Sequence, residues 1–372
     1  MTYVTPLVNR RRLAIDHHGQ REEFAALWLR EHSPDAETLD PRTGQRLVEA
    51  AELPLSLSIQ TAEVADGRLC LQFSDGHCTA FDLAALFDDQ PSDPPKRLWD
   101  AASAPRPEAD FCAALADDVV LSDLLEALHR DGFVIVSGVP TEADGMQPLI
   151  DRIGPLRRTN WGGIADVKSV ANAYDLTMTQ RGLEPHTDNP YRDPIPGYIW
   201  LHCLTNAAEG GDSTLADGFM AARLLRERDP EAYASLTRVT PGFRYRDDDT
   251  HLESEGPLIE LDSHAEPVRV RYSNRTERVP VLPAEELETY YAARQAFYQL
   301  ITGEELTHNL KLDPGQMLIM DNYRLLHGRS AFQLAGGVRH LRQGYVDRDS
   351  TASRRRVLRQ RLTNAQAQGE PA

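Results

Sequence analysis

The sequence predicts a mainly β fold with flanking helices, built as a sandwich or barrel and not as a doubly wound sheet. Three observations lead there. From Val167 onward, short apolar stretches are separated by Gly- and Pro-rich turns, the pattern of many short strands. Only "GFMAARLLRERDPEAYASL" and "PAEELETYYAARQAFYQLIT" interrupt them with helical periodicity. The first 90 residues are also β-rich: "RRLAIDH" and "RLCLQFSDGHCTAFDL" alternate apolar and polar, with "ADGR" and "SDGH" as hairpin turns.

In chain order, residues 1–90 form a small β-rich domain that includes the more helical "EFAALWLREHS". The stretch "DDQPSDPPKRLWDAASAPRPEADF" concentrates proline, aspartate and alanine, so residues 91–108 are expected to be an extended linker. A large domain, 109–372, follows. Its "ALADDVVLSDLLEALHRDGFVIVSGVP" places an amphipathic helix before a buried strand, and "SRRRVLRQRLTNAQ" closes the chain as a surface or interface helix. No internal repeat is visible.

Composition excludes several classes. The net charge of −17 over 372 residues argues against a polyanion such as nucleic acid. No apolar run approaches the roughly 18 residues of a membrane span, and "MTYVTPLVNRRRLAID" lacks a signal-peptide core. A soluble, cytoplasmic protein is expected. Cys70, Cys78, Cys112 and Cys203 are scattered without a C-x-x-C, so they are expected to be reduced and partly buried.

The chemistry concentrates in "EPHTDNPYRDPIPGY", Glu184 to Tyr198. On a strand, residues i and i+2 share a face, so His186 and Asp188 can converge on one metal ion. Three letters alone fit a surface loop equally well. A third ligand comes from "GQMLIMDNYRLLHGRSAF", a buried strand that turns and reaches His327. Two histidines and one carboxylate form the facial triad of non-haem Fe(II) oxygenases. Beyond it, Arg339 in "GGVRHLRQGY" could grip a distal carboxylate in bidentate fashion. His202 reads as a satisfied core histidine, and His340 as facing away from Arg339.

With "HTDNPY", "GGDSTLADGF", "DNYRLLHGR" and "RHLRQGY" in place, the chain resembles the Fe(II)/2-oxoglutarate dioxygenases of the taurine dioxygenase superfamily. Within that superfamily it is most similar to γ-butyrobetaine hydroxylase and trimethyllysine hydroxylase. The resemblance covers nearly the whole chain. It implies a double-stranded β-helix (jelly-roll) core, a homodimer, and hydroxylation coupled to oxidative decarboxylation of 2-oxoglutarate with O2. It also implies that His186, Asp188 and His327 are iron ligands, that Arg339 binds the 2-oxoglutarate C5 carboxylate, and that Ser213 assists it.

The chain departs from the family at two places. The family's N-terminal domain binds zinc through three cysteines and a histidine. Here Ser33, Asp35 and Thr38 replace the thiolates and only His77 remains, so no zinc is expected; the domain is expected to serve packing or dimerisation. In the substrate pocket, Trp161 and Tyr345 match positions of the family's trimethylammonium cage. Ala165 and Met178 replace two other aromatics, and Asp175 offers a carboxylate to the cation. At the acid end, Asn274 matches a carboxylate-binding asparagine, while Arg275 stands where the family has a small residue. Asn189 and Tyr191 could add neutral donors. An added guanidinium suits a phosphonate better than a carboxylate. The expected substrate is therefore 2-(trimethylammonio)ethylphosphonate, hydroxylated next to phosphorus. The alternatives are γ-butyrobetaine, a zinc hydrolase on the same ligands, and a non-catalytic jelly-roll binding module. Gln343, where taurine enzymes carry a second arginine, argues against taurine.

Overall fold

The computed structural model describes residues 2–7, 9–87, 93–168, 182–207, 209–333 and 338–368. The chain divides into two compact units, Met1–Pro94 and Pro95–Ala372.

The first unit holds two three-stranded antiparallel sheets, one of Thr2–Leu7, Arg12–His17 and Gln20–Ala25, the other of Ile59–Ala65, Arg68–Phe73 and Cys78–Asp82. The "ADGR" turn has both central residues at positive φ, 50° for Asp66 and 75° for Gly67, as a two-residue hairpin matched to strand twist requires. Leu69, Leu71 and Phe73 alternate into a core with Leu13, Ile15 and Leu29. Cys70 therefore points outward. Of the four cysteines only Cys203 is buried, fewer than expected: period-2 alternation turns Cys70 outward, and Cys112 sits on the outer side of helix Phe111–Ala116. Ser33 Oγ donates to Leu29 O at 3.2 Å. Arg30 donates to Thr38 Oγ1 and to Asp75 Oδ2, both at 3.0 Å, and His77 Nε2 lies 3.0 Å from Asp35 Oδ2.

In the second unit the linker reading changes. The unit boundary falls at Pro94/Pro95, and Trp99 is wholly buried. Its Nε1 donates to Asp131 O at 2.8 Å and its backbone N to Asp217 Oδ2 at 3.2 Å. Asp217 also forms a fully buried pair with Arg324, which donates to the Arg97 and Arg130 carbonyls. One aromatic anchor docks a stretch whose composition reads as linker.

Two sheets face each other across the interior. The larger, six-stranded among the described residues, runs Glu108–Asp110, Phe133–Ser137, Met317–Asp321, Tyr198–Asn206, Arg339–Val346, Ala165–Lys168. The smaller runs Leu183–His186, Leu325–Arg329, Ser213–Asp217, His308–Leu310. Alternation sorts the faces. Ile199, Leu201, Leu318 and Met320 pack toward Leu215 and Leu325 of the smaller sheet. Tyr198, Trp200, Met317 and Ile319 pack outward on helices Asp118–Asp131 and Gln147–Ile153. This is a jelly roll: both layers are antiparallel but for one edge pairing, Glu108–Asp110 with Phe133–Ser137.

Helix limits follow local chemistry. Asp117 caps Asp118–Asp131 by accepting from Val119 N, and Gly132 at φ 86° ends it. Asp229 and Pro230 divide the predicted single helix into Gly218–Arg228 and Pro230–Arg238, because Asp229 caps the second by accepting from Ala232 N. The final helix, Arg348–Gln368, is docked: Arg355 and Arg359 both pair with Glu126. No helix among the described residues is long and apolar enough to cross a membrane.

Candidate metal centre and active site

His186 and His327 are cross-strand partners with ring centroids 4.4 Å apart. Asp188 completes the set: one ligand atom from each residue lies within 4.8 Å of the others. The strand stops at His186, so Asp188 is placed by a loop and not by strand alternation. Asn322, in "DNY", holds that loop. Its Oδ1 accepts from Asp188 N at 2.7 Å, and its Nδ2 donates to the Asp188 and Pro196 carbonyls. Thr187 N donates to Tyr272 O at 2.8 Å, and Tyr272 N donates back to Thr187 Oγ1 at 3.0 Å. Asn189 then turns the chain at φ 52°, a conformation asparagine tolerates better than most residues.

The donors suit Fe(II). His186 Nδ1 lies 2.8 Å from Glu184 O; as the donor there, it leaves Nε2 free for a metal. His186 Nε2 and His327 Nε2 lie 3.5 and 3.7 Å from Asp188 Oδ1. Burial disfavours the Asp188 charge, but the neighbouring imidazoles and the Tyr345 hydroxyl outweigh it and keep the carboxyl ionised well below the usual range. Burial, then the charge of His186, hold His327 down to about 3. At neutral pH the pair is a carboxylate and a neutral imidazole, the forms that bind metal.

A cavity of about 500 Å³ opens on this centre. Arg339, Leu341, Gln343 and Tyr345 line it as alternate residues of one strand, with Ser213 and Arg329 from the facing sheet. Arg329, two residues past His327 on the same strand face, was not singled out from the sequence; the "HGR" spacing carried the signal. Gly328 between them is dictated by packing, since a Cβ there would lie 2.6 Å from Thr214 Oγ1 and 2.7 Å from Leu183 O. Burial, then the Arg339 and Arg275 charges, lower Arg329 to about 10. Burial lowers Arg339 as well. Both stay charged at neutral pH.

Trp161, Asn189, Tyr191 and Arg275 also line the cavity, together with Tyr245, which the sequence reading missed. Tyr245 stacks on Tyr191 at 5.3 Å and meets Trp161 edge-on at 5.2 Å. Asn189 and Tyr191 are engaged differently from the expected acid-end role. Tyr191 OH donates to Asn189 Oδ1 at 2.7 Å, and Asn189 Nδ2 donates to Tyr345 OH at 3.1 Å. Asn274 is corrected outright. It lines a neighbouring cavity, which Arg275 also borders, and accepts from Arg294 at 3.2 Å, while Ser273, Arg275 and Thr276 line the iron-side cavity. His202 is fully buried in the core beside the Val139 backbone, as expected of a core histidine. His340 does turn to the outside, with Nε2 2.8 Å from Asp166 Oδ1. Asp175 and Met178 lie outside the described residues.

Two facing sheets with a His, Asp, His set on their inner side carry the ligand set of a non-haem iron oxygenase. The taurine catabolism dioxygenase TauD, TfdA family model matches residues 94–345, and the γ-butyrobetaine hydroxylase-like N-terminal model matches residues 7–87. The chain belongs to the TauD, TfdA family. It is 34% identical to the γ-butyrobetaine dioxygenase of Pseudomonas sp. (strain AK-1) over 351 residues, covering 91% of each chain. It is 29% identical to human γ-butyrobetaine dioxygenase, covering 92% of each. It is also 29% identical to human mitochondrial trimethyllysine dioxygenase, covering 90% of this chain and 82% of that one.

Proposed function

We propose that this dioxygenase hydroxylates a small trimethylammonium zwitterion, 2-(trimethylammonio)ethylphosphonate, at the carbon next to phosphorus. The observation that carries this reading is the composition of the cavity. Trp161, Tyr191, Tyr245 and Tyr345 line it together with the triad and with Arg275, while Arg244, Arg246 and Arg278 border its mouth, Arg244 paired with Glu253. Such rings suit a quaternary ammonium, at about 0.5–2 kcal/mol for each well-placed face. Arg275 beside those rings, in a protein with net charge −17, suits a dianionic head.

In this reading His186, Asp188 and His327 hold the iron, which supplies O2 activation coupled to decarboxylation of 2-oxoglutarate. Arg339, with Ser213 beside it and Arg329 reinforcing the positive field, orients the distal carboxylate of 2-oxoglutarate. The rings place the cation, and Arg275 draws the acid end. Buried Leu201, Leu215, Leu318 and Met320 keep water from the inner wall. The N-terminal unit serves packing in a cytoplasmic homodimer, which light scattering of the purified protein would check.

A second reading, γ-butyrobetaine hydroxylation, is favoured by the relatives' activity. The two are separated by the ratio of kcat/KM for the phosphonate and γ-butyrobetaine, followed by product and succinate. Wild type should prefer the phosphonate, and Arg275→Ala should erase most of that preference. A wild-type preference for γ-butyrobetaine, or a ratio unchanged by Arg275→Ala, would sink the phosphonate reading.

A further inference from the structure

Asp188 Oδ2 accepts two hydrogen bonds, from Gln343 Nε2 at 2.7 Å and from Tyr345 OH at 2.8 Å. Oδ1 is the oxygen that faces both imidazole Nε2 atoms. The two carboxylate oxygens are thus divided between the protein and the metal position.

The direction of each bond can be worked out. An ionised carboxylate only accepts, so Tyr345 must spend its single proton on Asp188. Its oxygen can then only accept from Asn189, which must present Nδ2 to it. Asn189 Oδ1 is left to accept from Tyr191 OH. Gln343 Nε2 also lies close to the Tyr345 oxygen, so the three groups form one compact cluster. Along the chain from Tyr191 through Asn189 and Tyr345 to Asp188 every donor has one acceptor, and reversing a bond sets two acceptors face to face. Tyr345, Asn189 and Tyr191 are all buried, where such a clash is costly. The strained φ of Asn189 belongs to the same device, because it brings the amide between the two tyrosines.

We infer that Gln343 and Tyr345 are positioning residues for the iron ligand: they hold Oδ2 away from the metal, so that Asp188 gives one oxygen and the other coordination positions stay open. Tyr345 has a second task beside its ring in the substrate pocket. The inference rests on reading His186, Asp188 and His327 as the metal ligands.

The test is anaerobic titration of chelator-stripped protein with Fe(II), and with Co(II) read by its visible spectrum. The variants are Tyr345→Phe, Gln343→Leu, the double variant, and Asn189→Asp, with Asp188→Ala as control and circular dichroism to confirm folding. Outer partners of metal ligands are worth about 10- to 100-fold in metal affinity. The double variant should lose affinity in that range and shift the Co(II) spectrum as the carboxylate becomes free to bind through both oxygens. Asn189→Asp should weaken binding as well, since it places an acceptor against the Tyr345 oxygen. Tyr345→Phe keeps the ring, so its metal defect should exceed any change in substrate KM. If Asp188→Ala loses metal but the folded double variant binds Fe(II) and Co(II) like wild type with an unchanged spectrum, the positioning role is wrong. If Asp188→Ala itself binds metal normally, the triad reading fails instead.

Discussion

At the scale of single residues, the chemistry depends on a few buried polar groups whose partners are all nearby. His186→Ala, Asp188→Ala or His327→Ala should abolish Fe(II)-dependent succinate formation while leaving the circular dichroism spectrum intact. Each removes a donor without opening the hydrophobic clusters on either side. Near wild-type turnover in any one of them would refute the ligand set. Arg339→Ala should raise the apparent 2-oxoglutarate constant, since a charge-assisted contact is worth about 1.5–3 kcal/mol, or roughly 10- to 150-fold. Arg329 would keep part of the positive field, so the lower part of that range is expected. An unchanged constant would place Arg339 outside the co-substrate site.

At the scale of elements, Asp217 ties three of them together. It caps helix Gly218–Arg228 by accepting from Phe219 N and Met220 N, pairs with Arg324 in the turn before the His327 strand, and accepts from Trp99 N. Asp217→Ala would leave the buried Arg324 guanidinium uncompensated, at a cost of about 3–5 kcal/mol. Urea denaturation should show the midpoint falling by that equivalent; a loss below about 1 kcal/mol, the worth of a surface pair, would contradict the role. In the first unit, Arg30 bonds Thr38 and Asp75, and His77 bonds Asp35. Elemental analysis of purified protein should find no zinc that survives iron stripping, and a chelator should leave the unfolding curve of that unit unmoved. One retained zinc per chain would contradict this.

At the scale of the whole molecule, acid sensitivity should trace in part to a group far from the chemistry in role. Burial, then the Arg342 charge, push His202 down to about 4 from its ordinary 6.5. The folded state therefore holds the imidazole neutral, while the unfolded chain takes up a proton below 6.5. The neutral form's contribution is complete above pH 6.5 and is lost progressively as pH falls toward 4. The full loss is on the order of 3 kcal/mol. His202→Leu, of similar volume, should flatten the dependence of Tm on pH between about 6.5 and 4 relative to wild type. Parallel curves for the two proteins would show that His202 is not responsible.

The sequence by itself determined the mainly β class, the helix before the Phe133–Ser137 strand, and the residues that meet at the metal position. Periodicity and spacing are local properties, and a strand's alternation announces its inner face. Thus Arg339, Gln343 and Tyr345 could all be assigned to one side from their numbers alone. Only tertiary structure decided what those inner faces meet. That Gln343 and Tyr345 bond the free oxygen of Asp188 depends on a strand more than 150 residues away in sequence. That Trp99 anchors a proline-rich stretch depends on Asp131 and Asp217. That Asn274 bonds Arg294 and stays off the iron-side cavity depends on a helix twenty residues further along. Hydrogen bonds are short-ranged and directional, so their partners are fixed by where the folded chain brings donor and acceptor together.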